Sequence, residues 1–170
     1  MSGFTTELPM VQLSNNSLSD FVRQVVSGYR NTCESRNVSV VLDLEEISVP
    51  YDRKLVHRAV TAMVENALQA MPDGGELEAT LINAKHQWEL EIADSGGRSK
   101  TKETTGAPQA ANDLPRIVEV ESNTQMEVLN NLSILMNATV QSWNCPLGGT
   151  ANVLVVPKRP ANEQIINKAA

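Results

Sequence analysis

The sequence predicts an α/β protein, a two-layer sandwich in which helices cover one face of a mixed, mostly antiparallel sheet. Two observations point there. Short segments that alternate apolar and polar residues are interspersed with longer segments of helical spacing. The alternating segments have one wet face, the habit of antiparallel strands rather than of parallel strands covered by helices on both sides. The 170 residues suit one domain, a size that buries about two-thirds of the unfolded surface. Aromatic residues make up only 4%, so the core must rest on Val, Leu, Ile, Met and Ala.

Taken in order, residues 1–16 show no period and read as an arm. Ser17 or Ser19 caps a helix running to about Cys33, with Phe21, Val25, Val26 and Tyr29 at helical spacing. VSVVLDL at 38–44 is short and β-branched, hence a strand. Asp52 is the expected N-cap of a helix that ends near Met71, because Pro72 and Gly74-Gly75 follow. Leu77, Ala79 and Leu81 alternate with Glu76, Glu78 and Thr80, and Trp88, Leu90 and Ile92 alternate with Glu89 and Glu91. These are two strands joined around Asn83-Ala84-Lys85 as an antiparallel pair.

From Ser95 to about Pro115 the composition shifts to Gly, Ser, Thr, Lys, Ala and Asn, the mark of a functional lid or of disorder. Residues 116–120 fit a short strand or a helical turn equally well. Met126, Leu129, Leu132, Leu135 and Met136 give a helix over 126–136. TVQSW at 139–143 and ANVLVVP at 151–157 are two closing strands around the turn Pro146-Leu147-Gly148-Gly149. The expected organisation is therefore an arm at 1–16, one domain at 17–157 with a lid at about 95–125, and a polar tail at 158–170, without an internal repeat.

A formal net charge of −6 argues against general affinity for nucleic acid or for anionic membrane surfaces, both of which need clustered Lys and Arg. Cys33 and Cys145 lie far apart without metal-ligand spacing and read as reduced thiols. No apolar run approaches the ~18 residues that span a bilayer, and MSGFTTELPM lacks the basic and apolar regions of a signal peptide. A cytoplasmic protein is expected.

Three places interrupt the patterns. On the helix from Asp52, Val56, Val60, Met63 and Ala67 form the core stripe, and Leu55, Ala59, Ala62, Asn66, Gln69 and Ala70 form a neighbouring one. Asn66 thus adjoins small residues that leave room for a ligand, although spacing alone makes it an amide facing water. Asp94 falls on the apolar face of its strand with Trp88, Leu90 and Ile92, where a carboxylate is costly unless it is paired. Ser95-Gly96-Gly97 follow, which fits either a ligand approaching the backbone or a plain turn out of the strand. Gly148-Gly149-Thr150 before the last strand reads alone as a hairpin turn.

Together these segments resemble a known family. Asp52-Arg53-Lys54-Leu55 with VENALQAMPDGGEL at 64–77 resembles the N box of histidine-kinase catalytic domains, nearest to the nitrogen-regulation type of sensor kinase. IADSGG at 92–97 resembles the first glycine box of that family, and LGGTANVLVVP at 147–157 its final strand. The superfamily also includes gyrase, MutL and a heat-shock chaperone. The resemblance implies an ATP-binding domain in which Asn66 holds Mg²⁺ bridging the phosphates, as a neutral oxygen ligand for a hard cation. It implies that Asp94 accepts from the adenine amino group, that Gly96 lets the base lie on the backbone, and that Thr150 supports both. Ala70 would line the adenine pocket, and Gln69 stands where many members carry a Lys near the phosphates.

The sequence also departs from the family pattern. Ala62 stands where an Asn or Glu is usual four residues before the magnesium Asn, and Arg98 replaces a glycine of the first box. Asn123-Thr124-Gln125-Met126 aligns with the second glycine box, whose amides wrap a triphosphate. Lys100, Lys102 and Arg116 are alternative phosphate ligands in the lid, or simply its solvated charges. His57 and His86 lie outside any phospho-acceptor context, so an acceptor would be a protein signalling partner or another segment. The expected ligands are ATP or ADP with Mg²⁺. Three functions stay open: a signalling domain of the histidine-kinase type impaired in phosphotransfer, a pseudo-kinase interaction module, and an anti-sigma-type serine kinase.

Overall fold

The computed structural model describes residues 13–14, 16–96, 124–145 and 148–158. The lid beyond Gly96 (with Arg98, Lys100, Lys102, Arg116 and Asn123), the ambiguous segment 116–120, Pro146-Leu147 and the tail beyond Lys158 lie outside the described residues.

A five-stranded sheet is the base of the fold. Its strands are β2 (Val38–Leu44), β4 (Gly75–Asn83), β5 (Gln87–Asp94), β6 (Thr139–Asn144) and β7 (Thr150–Pro157), in the order β2-β4-β5-β7-β6. All neighbours are antiparallel except β2 and β4, which run parallel. A parallel pair needs a crossover, and the helix α3 (Arg53–Ala70) supplies it. The mixed, mostly antiparallel α/β sandwich is as the alternation predicts.

Asp52 caps α3 as expected: its Oδ1 accepts from the backbone N–H of Lys54 at 2.8 Å and of Leu55 at 2.9 Å. Val56, Val60, Met63 and Ala67 are fully buried, and Ala59, Ala62, Val64 and Leu68 join them, so the apolar face is wider than one stripe. α3 ends at Ala70 with Met71 as C-cap, and Pro72 follows. Gly74 then takes φ +98°, with its backbone so close to Asn37 that a Cβ would lie 2.8 Å from the Asn37 carbonyl oxygen. This turn starts β4 beside β2. On β4 and β5, Leu77, Ala79, Leu81, Leu90 and Ile92 face the helices and are wholly buried.

Two expectations need correction. The helix expected from Ser17 to Cys33 is two helices, α1 (Leu18–Ser27) and α2 (Arg30–Ser35). Ser17 does cap α1, accepting from Asp20 N–H at 3.1 Å. At Gly28-Tyr29 the backbone bonding slips to i→i−3 (Tyr29 N–H to the Val26 carbonyl, 3.0 Å), where a glycine weakens the helix. The Tyr29 hydroxyl donates instead to Glu65 of α3 at 3.1 Å, a tertiary bond that local spacing cannot show. The second correction is at the arm: Leu13–Ser14 (β1) pairs antiparallel with Tyr51–Asp52 (β3), tying its end to the start of α3. The helix α4 (Thr124–Met136) packs along α3, with Leu129 and Leu132 buried. Among the described residues no helix is long and apolar enough to cross a membrane.

The cap and the sheet's outer face each give a test. Replacing Asp52 by Ala strands two N–H groups and should lower stability by about 1 kcal/mol, readable in urea unfolding. On the outer face Glu91 sits opposite Thr80 and diagonal to Glu78. Partial burial and then the Glu78 charge push its carboxyl above the ordinary glutamate value. A raised folded-state value means that stability is fully present at acid pH and falls as pH rises through the shifted value. Glu91→Gln should therefore stabilise by roughly 0.2–1 kcal/mol at neutral pH, and the gain should vanish when unfolding is measured below the glutamate range.

Candidate functional site

The site lies where β5 ends, β7 begins and α3 stops. Asp94 is the last residue of β5 and has no exposed surface. As the alternation predicts, it shares the helix-facing side with Leu90 and Ile92. Its Oδ1 accepts two backbone N–H groups, from Gly96 at 3.0 Å and from Thr150 at 3.3 Å. A buried carboxylate held by main-chain donors keeps a fixed position, which a recognition residue requires.

Both glycines around Asp94 are needed for close approach. A Cβ on Gly96 would overlap the Ala70 carbonyl oxygen, so the strand end rests directly on the last turn of α3. A Cβ on Gly149 would overlap both Asp94 Oδ1 and the Asp94 carbonyl oxygen. The turn before β7 is thus more than a hairpin: Gly148 holds φ +103°, and Gly149 lets the Thr150 N–H reach the carboxylate.

Of the residues singled out in the sequence, Ala70, Asp94, Gly96 and Thr150 meet at this corner. Thr150 reaches Asp94 through its backbone N–H. Asn66 lies on the same face of α3 as Ala70, one turn earlier, and is half-buried. Gln69 is exposed to solvent. Ala62 is 2% exposed in the core of α3, so no acidic or amide group stands there. His57 and His86 are both exposed. His57 lines a groove of about 760 Å³ with Arg53, Lys54 and Arg58, at the opposite end of α3 from Asn66.

Three contributors gain a role that the sequence did not assign: Ser95 and Gly149 read there as turn residues, and Asn152 was not singled out. Ser95 accepts the Glu76 N–H at 2.8 Å through its hydroxyl, pinning the end of β5 to the start of β4. Gly149 makes room for Asp94. Asn152 is buried on the helix-facing side of β7 at 1% exposure. Its signal was present, since ANVLVVP puts Asn152 in phase with Leu154 and Val156, as Asp94 is with Leu90 and Ile92.

Among the described residues no three His, Cys, Asp or Glu side chains group to hold a metal. Asn66 on α3 offers a neutral amide oxygen, the type of ligand that a hard divalent cation takes. Gly149→Ala tests the corner itself: it forces a methyl into Asp94 and should destabilise by about 1–3 kcal/mol. Gln141 is exposed on the edge strand β6 and serves as the comparison. Gln141→Ala should change unfolding by less than about 0.5 kcal/mol.

No family model matches the sequence, and no curated protein sequence matches it. Solved structures do match in three dimensions. The catalytic domain of histidine kinase ThkA superposes with a TM-score of 0.68 at 16% identity, over 88% of this chain and 99% of that one. The histidine kinase AdeS of Acinetobacter baumannii gives 0.66 at 16% identity, over 89% of this chain and 70% of that one. The mycobacterial sensor histidine kinase MprB gives 0.64 at 17% identity, over 89% and 99%. The fold of this chain is that of the histidine-kinase catalytic domain.

Proposed function

We propose that this chain is a Mg-ATP-binding signalling domain of the histidine-kinase type, whose adenine end is intact and whose phosphotransfer is impaired. The observation that carries the reading is Asp94, a carboxylate without exposed surface, positioned by the Gly96 and Thr150 amides beside Ala70. An acceptor fixed in this way suits the exocyclic amine of adenine. Among proteins of the same fold, full-length ShkA is in complex with AMPPNP, though this chain spans 32% of it. ThkA is in complex with the response regulator TrrA, and this chain spans 42% of that protein. These support a nucleotide ligand and a protein signalling partner here. The nearer likeness to nitrogen-regulation sensor kinases rests on the motif NALQAMPDGG at 66–75.

Asn66 would hold Mg²⁺, which supplies charge neutralisation at the phosphates when bound. The chain's own part is to seat the base and to present that amide. The buried methyl of Ala62 favours a second reading, a pseudo-kinase interaction module, because it offers nothing to orient a water. Nucleotide titration separates the two.

ATP and ADP should bind weakly and within about threefold of each other, since Arg98, Asn123 and Gln125 stand in place of the glycines that would let backbone amides wrap the γ-phosphate in charge-assisted bonds. Asp94→Asn, which sets a donor against the adenine amine, should weaken both by roughly ten- to a hundredfold in calorimetry. Hydrolysis by the isolated chain should stay at background. Equal affinity in wild type and variant would place the nucleotide elsewhere, and no binding at all would leave the pseudo-kinase reading.

A further inference from the structure

The helix-facing side of the sheet changes character at one corner. Across β5, β7 and β6, the row Leu90, Leu154 and Val140 is apolar, and so is the pair Trp88 and Val156. One step toward the site the row becomes Ile92, Asn152 and Ser142, and at the end stand Asp94, Thr150 and Asn144. Asn152 is therefore a diagonal neighbour of Asp94 on the same face. Its Oδ1 accepts from the Ser142 hydroxyl at 2.6 Å, which fixes the amide. Its Nδ2 is buried and has no hydrogen-bond partner among the described residues.

A buried donor normally has a partner, and each exception calls for an explanation. Here the surroundings offer one. Asp94 is an acceptor, and the neighbouring Asn152 Nδ2 is a donor. Adenine presents the complementary pair on adjacent atoms: an amine that donates and a ring nitrogen, N1, that accepts. Guanine presents the reverse order, with a carbonyl oxygen facing Asp94.

We infer that Asn152 is a second base-reading residue, whose amide donates to adenine N1 directly or through one bound water. The inference rests on the nucleotide reading above and adds its specificity element. Asp94 and Asn152 together then select adenine by an acceptor–donor pair rather than by one carboxylate alone. A site built to hydrogen-bond a ligand group discriminates strongly against an analogue that lacks it, because the protein group is left buried and unpaired.

The test compares ADP with 1-deaza-ADP, in which N1 is replaced by C–H, by calorimetry on the full chain. Wild type should bind 1-deaza-ADP about tenfold more weakly than ADP. Asn152→Leu, similar in shape and without the donor, should bind both nucleotides alike at the weaker level. Its ligand-free melting temperature should not fall, since the Nδ2 it removes has no partner and the exposed Ser142 can turn its hydroxyl to water. Equal binding of the two nucleotides by wild type overturns the inference without any variant. A penalty that persists in Asn152→Leu overturns it too, by assigning N1 to another group, while the nucleotide reading survives. Absence of ADP binding by wild type overturns both.

Discussion

Asp94 joins three parts of the chain through one carboxylate and the backbone around it. Its Oδ1 draws in the Gly96 amide, which turns the chain sharply out of β5, and the Thr150 amide, which sets the start of β7. Burial makes these bonds matter: a carboxylate removed from water is tolerated only when donors surround it. The glycines follow from the same requirement. Gly149 is small because Asp94 lies against it, and Gly96 is small because the strand end must rest on Ala70. The corner is a packing solution, and the recognition proposed for it would use the same geometry.

The helix α3 transmits that order to the rest of the domain. Its capped start is tied to the arm through β3, its middle packs on α1, α4 and β5, and its last turn supports Gly96. As the crossover between β2 and β4 it also fixes the one parallel pair in the sheet. Asn66 and Ala70 lie on the end of this rigid element, so the amide proposed for the metal and the base-side surface share one frame. Sites built on helices and strands hold their geometry better than sites on loops. The side of the site proposed for adenine has such support. The glycines that would serve the phosphates are replaced in the sequence by Arg98, Asn123 and Gln125.

The base recognition proposed here would draw on groups that the core needs anyway, Asp94 above all. A change at Gly149 or Asp94 therefore reaches the core.

Much of this was legible in the sequence because it is set by local periodicity. Period-two alternation placed β4 and β5 and turned their apolar faces correctly, and it marked Asp94 as a carboxylate in phase with the apolar face. Asp52 announced the start of α3, and Pro72 with Gly74 its end. The same alternation also held the signal for Asn152, which drew no notice inside a run of apolar residues. What the sequence by itself determined is which residues face the core and where the main elements begin. Only the tertiary structure decided the break at Gly28-Tyr29, the parallel pairing of β2 with β4, and the contact of Gly149 with a carboxylate 55 positions earlier in the chain, because each depends on partners distant in sequence, about which local spacing carries no information.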